Sequence, residues 1–383
     1  MKPIPYSCQS ISAEDVEAVC TVLRSEFVTQ GPAVGEFERA FAQRHQVEHA
    51  VAVSSATSGL HVACLALGVG PESLVWTTPN SFVASANCAI YCGASVDFVD
   101  IDPRTRNMSV AALEAKLEQA KRGGALPHVV IPVDFSGLPC DLAEIRALGD
   151  KFGFKVLEDA SHATGAVYQG SPVGSRFAHA TVFSFHAVKI VTAAEGGIVA
   201  TQNGDVARQL RLLRSHGITR DTQRNVEEPW YYEQQLLGFN YRMTDLQAAL
   251  GMSQLLRLDA MHRRREELAA RYDSLLAHLP LILPARLPDR RSAWHLYAVE
   301  IDDARTSKSR GEVFQHMRRA NVGVNVHYIP IHTQPFYRQQ GFKVGEFPAS
   351  ERYYERALSI PLFPSMTDEQ QAVVAESLSS AFA

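Results

Sequence analysis

The sequence contains no apolar run long enough to cross a membrane, no C-x-x-C pair and no basic stripe. Each absence removes a class of protein. A membrane helix needs about 20 consecutive apolar residues, and a nucleic-acid binder concentrates positive charge on one face. Here 37 Lys and Arg stand against 41 Asp and Glu, a formal charge of −4. The one dense basic run, His262 to Arg265, is followed at once by Glu266 and Glu267 and reads as a solvated helix face. The six cysteines are Cys8, Cys20, Cys64, Cys88, Cys92 and Cys140, and no further Cys or His pair completes a zinc set around Cys88 and Cys92. Those two read as small buried hydrophobes. His327 and His332 are five residues apart, a spacing that repeats on neither a helix face nor a strand face, so no metal site is expected there. Met1 to Tyr6 lacks the apolar core of a secretion signal, and with no paired cysteines a cytoplasmic setting is expected. Gly68-Val-Gly70 lacks the third glycine of a dinucleotide fingerprint, and Ser54 to Gly59 lacks the lysine of a P-loop. A nicotinamide enzyme is thereby disfavoured. There is no internal repeat.

What is present is an ordinary globular composition, 46% hydrophobic and 20% charged, in 383 residues. That length predicts two domains. Strand-like runs at residues 50–53, 74–77, 95–99, 129–135, 155–158, 180–185 and 197–201 alternate with helical patterns such as 12–24, 57–67 and 141–152. The alternation predicts an α/β fold built on a mostly parallel seven-stranded sheet. Thr244 to Gln247 has the spacing of a capping box, and helical periodicity then runs on to Leu276. A strand-like stretch at 294–301, a helix at 309–319 and a last helix from Asp368 complete a smaller α+β unit. The expected division is therefore 1–250, a large domain with its N-terminal segment, and 251–383, a long linking helix with a small C-terminal domain.

Asp159 and Lys189 end two of the predicted strands. An amine and a carboxylate at neighbouring strand ends suit pyridoxal 5'-phosphate (PLP). Its aldehyde needs an amine to hold it as a Schiff base, and its ring nitrogen needs a carboxylate to stay protonated. Residue type alone leaves a solvated lysine and a turn-forming aspartate open. Small and hydroxyl residues (Thr192, Ala193, Ala194, Gly196, Gly197) follow Lys189 and permit close backbone approach. Ser54 to Gly59 lies between a strand and a helix, where free amides favour an anion such as a phosphate. Phe82 is placed either to stack on a planar ring or to fill a core. His162 is placed either beside the cofactor or as a structural histidine.

The strings Val53-Ser-Ser-Ala-Thr57, Glu158-Asp-Ala-Ser-His162, Phe183-Ser-Phe-His-Ala-Val-Lys189, Ala194-Glu-Gly-Gly197 and Leu237-Gly-Phe-Asn-Tyr-Arg242 together resemble the DegT/StrS group of sugar-nucleotide aminotransferases. The resemblance extends over nearly the whole chain. It implies a PLP-dependent transferase of fold type I, similar to aspartate aminotransferase. It also implies Lys189 as the cofactor-bound amine, Asp159 at the ring nitrogen, His162 near the phenolic oxygen, Ala56, Thr57 and Ser184 around the phosphate, and Phe82 on the ring. Asn240 would reach the phosphate in a neighbouring subunit, which makes a homodimer part of the site.

Further strings, Ile4 to Ile11, Phe27 to Pro32, Pro229 to Glu233, Val326 to His332 and Pro361 to Pro364, resemble the branch that aminates C4 of a UDP-linked 4-keto-6-deoxy sugar in pseudaminic acid biosynthesis. This implies Tyr6, Phe27, Val28, Thr29, Gln30, Asn325, Val326, His327 and Tyr328 along the sugar-nucleotide pocket, with L-glutamate as amino donor. Two positions depart from the family pattern. Ala187 replaces a frequent proline, and Asp134 a frequent histidine. The rival readings are an aminotransferase for another UDP- or dTDP-linked keto-sugar at C3 or C4, and a non-catalytic PLP-binding regulator. A sugar dehydratase of the same fold is associated with histidine in place of the lysine, and Lys189 is intact.

Overall fold

The computed structural model describes residues 3–220 and 223–383; Met1 and Lys2, the first residues of the stretch examined for a secretion signal, lie outside them. The seven predicted strands all form and join one sheet. They are β1 (His49–Val53), β2 (Leu74–Thr77), β3 (Ser95–Phe98), β4 (Val129–Ile131), β5 (Lys155–Asp159), β6 (Ala180–Ser184) and β7 (Gly197–Thr201). Across the sheet the order is β1-β7-β6-β5-β4-β2-β3. Only β7 runs against its neighbours, pairing antiparallel with β1 and β6. The strand expected at 129–135 stops at Ile131, because Pro132 has no amide to donate and the chain then turns through a short 3-10 segment at Phe135–Gly137.

Alternation along the strands explains the layers. Val51 and Val53 face Leu60 and Val62 on one side of the sheet, while Ala50 and Ala52 face Phe37 and Phe41 on the other. Helix α1 (Ala13–Leu23) is capped by Ser12, and α2 (Pro32–His45) begins at a proline, whose fixed backbone angle suits the first helical position. Helix α3 (Ala56–Ala66) follows β1 and α4 (Ala84–Tyr91) follows β2. The carboxyl ends of the parallel strands therefore open on one edge, where ligands bind in sheets of this kind.

The capping box at Thr244 and Gln247 forms, but the long helix does not run unbroken to Leu276. It divides at Arg257 into Asp245–Leu256 and Leu258–Leu276. Arg257 reaches back to the Ser10 carbonyl (2.9 Å) and to Asp15 of α1, and its backbone leaves helical values there. The basic run that followed is also not a uniformly solvated face. His262 and Arg265 are buried, and the Arg265 guanidinium donates to the carbonyls of Trp294 (2.9 Å) and Leu362 (3.1 Å). Cys88 and Cys92 are buried.

A separate hydrophobic cluster gathers Leu268, Tyr272, Tyr297, Val299, Met317, Leu358 and Leu378, and Ile4 from the N-terminal segment packs in it. Between this cluster and the sheet, Arg106 donates from Nε (3.0 Å) and Nη2 (2.7 Å) to one oxygen of Glu300, and Arg356 donates to the other (2.6 Å). No helix among the described residues is long and apolar enough to cross a membrane.

Candidate active site

A cavity of about 460 Å³ lies at the carboxyl ends of the strands, a size suited to a small cofactor with part of its substrate. Asp159 closes β5 and Ser184 closes β6, and their neighbouring positions bring both to the cavity wall. Lys189 sits in a turn of the β6–β7 connection, its amide donating to the His186 carbonyl (2.9 Å). Burial lowers its ammonium to about 8, against the opposing pull of Asp159. An amine near neutrality is a competent nucleophile.

Ala56 and Thr57 occupy the first two positions of α3, where amides have no acceptor within the helix. Both line the cavity beside Ser184. The Ser55 side chain caps Ser58 instead, so it leaves those two amides open. Gly197 brings β7 against this helix start: a Cβ there would lie 2.6 Å from the Ala56 nitrogen. Phe82 also lines the cavity, and 58% of it is exposed. It is not the core aromatic that the sequence left open.

His162 accepts the Ser136 amide at Nδ1 (3.2 Å) and meets the Tyr328 hydroxyl at Nε2 (3.2 Å). Burial, then Lys189, holds its pKa well below the ordinary value. A neutral ring whose Nδ1 accepts must carry its proton on Nε2. His162 is thus a hydrogen-bond donor toward the cavity. Burial similarly lowers His327 to about 4 and His295 well below its usual range. His327 is tied by Nδ1 to the Ser359 hydroxyl (2.8 Å).

Tyr6, His327 and Tyr328 line the same cavity. The remaining expected residues do not. Phe27 and Val28 are exposed outside it, Thr29 bridges Thr244 by backbone, and Gln30 is exposed with a left-handed backbone. Asn325 pairs with Ser359 through backbone hydrogen bonds (3.1 and 2.8 Å), and neither it nor Val326 reaches the cavity wall. Asn240 is exposed and bridges Ser215 through its backbone. Sequence reading missed His295 and Ser85, which both line the cavity. Ser85 carries no local signal of its place, since the carboxylate it meets is 74 residues further along the chain.

Asp134 is fully buried behind Asp159, its amide donating to the Asp159 carbonyl (3.1 Å). Burial raises Asp134 to about 7 and Glu158 well above its usual range. The two carboxyls oppose each other's charge, and Glu158 accepts from the Thr181 hydroxyl (2.7 Å).

The residues fit PLP. An amine and a carboxylate face one cavity, open helix amides lie at one end, and an aromatic surface stands free at its wall. With the sheet order, they define a PLP-dependent transferase of fold type I. The chain belongs to the DegT/DnrJ/EryC1/StrS aminotransferase family, which matches residues 9–379. It is 39% identical over 380 residues to the spore coat polysaccharide biosynthesis protein SpsC of Bacillus subtilis, covering 98% of this chain and 96% of that one. It is also similar to Helicobacter pylori PseC, an aminotransferase involved in the biosynthesis of pseudoaminic acid. The identity is 31% and the TM-score 0.90, with 100% of this chain and 99% of that one covered. Spr1654 from Streptococcus pneumoniae, solved in PLP and PMP forms, matches in its PMP form with a TM-score of 0.91 and 29% identity. That match covers 99% of this chain and 98% of the other.

Proposed function

We propose that this protein transfers an amino group from L-glutamate to C4 of a UDP-linked 4-keto-6-deoxy sugar. The substrate is UDP-2-acetamido-2,6-dideoxy-β-L-arabino-hexos-4-ulose, and the product is the corresponding 4-amino sugar for a surface glycan. The observation that carries the reading is the placement of Lys189 and Asp159 on one cavity. Likeness to PseC along the whole chain supports the substrate class.

Bound PLP supplies an electron sink and a temporary carrier for the amino group. Everything else falls to the chain. Lys189, with its amine poised near pH 8, takes the proton from Cα of the amino donor and delivers one to C4 of the sugar. Asp159 holds the ring nitrogen of the cofactor in its charged state. His162, kept neutral with its Nε2 proton toward the Tyr328 hydroxyl, would stand beside the phenolic oxygen. The open amides of Ala56 and Thr57, with the Ser184 hydroxyl, hold the phosphate. Phe82 covers the ring. Tyr6, His327 and Tyr328 face the sugar, and the Phe27 to Gln30 and Asn325 to Val326 segments flank it further out. Asn240 serves the phosphate of a second subunit, which fits its exposure and its distance from the cavity of its own chain.

The deciding experiment offers UDP-4-keto-6-deoxy-N-acetylhexosamines of both C5 configurations, with glutamate, and identifies the amino sugar by NMR. The L-configured C4 amine is expected. Strict preference for the D-configured sugar, or an amine at C3, would assign the protein to a different keto-sugar. Absence of transfer from glutamate in the yellow protein would favour a regulator. Borohydride reduction followed by peptide mapping is expected to label Lys189 alone.

A further inference from the structure

Asp159 is 4% exposed, and each of its oxygens already has a donor. The Ser161 amide donates to Oδ1 (3.1 Å), and the Ser85 hydroxyl donates to Oδ2 (2.6 Å). Ser85 lies one residue into α4, 1% exposed, and its hydroxyl is 2.7 Å from that of Ser81. A serine hydroxyl has a single proton. Because that of Ser85 is committed to Asp159, Ser81 must be the donor in the pair. The result is a directed chain, Ser81 to Ser85 to Asp159, in which each bond polarises the next.

A serine in a helix can point to solvent or turn its hydroxyl back to the carbonyl four residues earlier. Ser85 instead crosses to a carboxylate 74 residues along the chain. We propose that Ser85, oriented by Ser81, is a positioning residue that fixes the plane and the charge of Asp159 toward the ring nitrogen of the cofactor. The inference rests on the reading of Asp159 as the partner of that nitrogen. The surroundings make such a device necessary. The buried carboxyls of Asp134 and Glu158 stand behind Asp159, and on the cavity side Asp159 meets Lys189 and the Tyr328 phenol, with His162 beside them. With Ser85 gone, the carboxylate would keep one fixed donor and become free to turn toward the lysine.

The test follows the visible and near-ultraviolet absorbance of the cofactor-loaded protein against pH, together with the dissociation constant for PLP. A ring nitrogen that holds its proton less firmly makes the linkage to Lys189 more basic, so the midpoint of the titration rises. Ser85→Ala is expected to raise that midpoint by about one unit and the dissociation constant by roughly tenfold, the scale of one charge-assisted hydrogen bond. Ser85→Thr keeps the hydroxyl and is expected to restore both. Ser81→Ala leaves Ser85 in place and is expected to shift the midpoint in the same direction by less. It carries the test should Ser85→Ala not fold, as judged by thermal unfolding of the cofactor-free protein. Asp159→Asn separates the two claims. If it shifts the midpoint or loses the cofactor while both serine variants match the wild type, the role of Ser85 is overturned and that of Asp159 stands. If Asp159→Asn leaves the midpoint and the affinity unchanged, the reading of Asp159 fails, and the inference with it.

Discussion

Lys189 is the one aliphatic amine that the described residues bring to the cavity, set among imidazoles that burial holds neutral. Its ammonium loses its proton near pH 8 rather than near 10.4, the ordinary lysine value. The neutral amine is the nucleophile, so capture of PLP by cofactor-free protein should accelerate as pH rises and level off above about pH 8. Stopped-flow absorbance reads this directly, and a rate still climbing at pH 10 would contradict it. Tyr328 gives a second prediction at this scale. Because His162 donates from Nε2, the tyrosine oxygen accepts, and its own proton is left to point elsewhere in the cavity. Tyr328→Phe should lower kcat/KM by roughly tenfold, the effect of one neutral hydrogen bond, with PLP affinity nearly unchanged. Equal loss of both would place Tyr328 on the cofactor rather than the substrate. Asp159 was legible in the sequence because it ends a β-branched run that forms a strand, and Lys189 because it follows such a run, although it sits in the turn beyond β6 and not at the strand end. Ser85 was not, because its importance comes from a residue 74 positions away.

Among the elements, α1 is held to the helix Asp245–Leu256 by a single buried carboxylate. Asp15 accepts from the Ser12 amide (2.8 Å), the Ser253 hydroxyl (2.6 Å), the Gln254 side chain (2.6 Å) and Arg257. Burial opposes its charge, but these donors together with Arg257 win, and its pKa is lowered. Asp15→Ala removes the shared acceptor of these donors and leaves Arg257 only the Ser10 carbonyl, and should cost about 3 kcal/mol in urea unfolding. The sign with pH follows from the lowered value. The contribution is complete above the ordinary carboxylate pKa, about 3.9, and is lost as pH falls through the depressed one. Wild type and Asp15→Ala should therefore converge in stability on acidification. The same contact explains why the break at Arg257 was invisible in the sequence. The helical periodicity continues through residue 257, and only the tertiary bonds to Ser10 and Asp15 interrupt the backbone. Strands fared better, since seven apolar runs became seven paired strands. Arg265 was misread because a guanidinium satisfied by carbonyls can be buried, and charge alone does not reveal where carbonyls will be.

At the scale of the whole molecule, the proposed sharing of sites between subunits makes a quantitative claim. Lys189→Ala and Asn240→Asp should each be inactive, yet after unfolding and refolding together in equal amounts they should recover about a quarter of the wild-type activity, since half the dimers carry one intact site. Activity that stays at zero on mixing would place both residues in the same site. The segments that did not reach the cavity, Phe27 to Gln30 and Asn240, belong to this scale.

The buried cluster of Arg106, Glu300 and Arg356 has its own consequence at this scale. Glu300 lies on a strand of the C-terminal cluster, whereas Arg106 comes from the loop after β3, and both are nearly inaccessible to water. Separating the two parts of the chain would take Arg106 from Glu300, while Arg356, which precedes the strand paired with that of Glu300, would stay with it; any opening that left either group dry would leave an uncompensated charge. Partial melting is thereby penalised, so calorimetry should record one endotherm rather than two. Glu300→Gln should broaden or split it, because the two cores would then be free to come apart in turn.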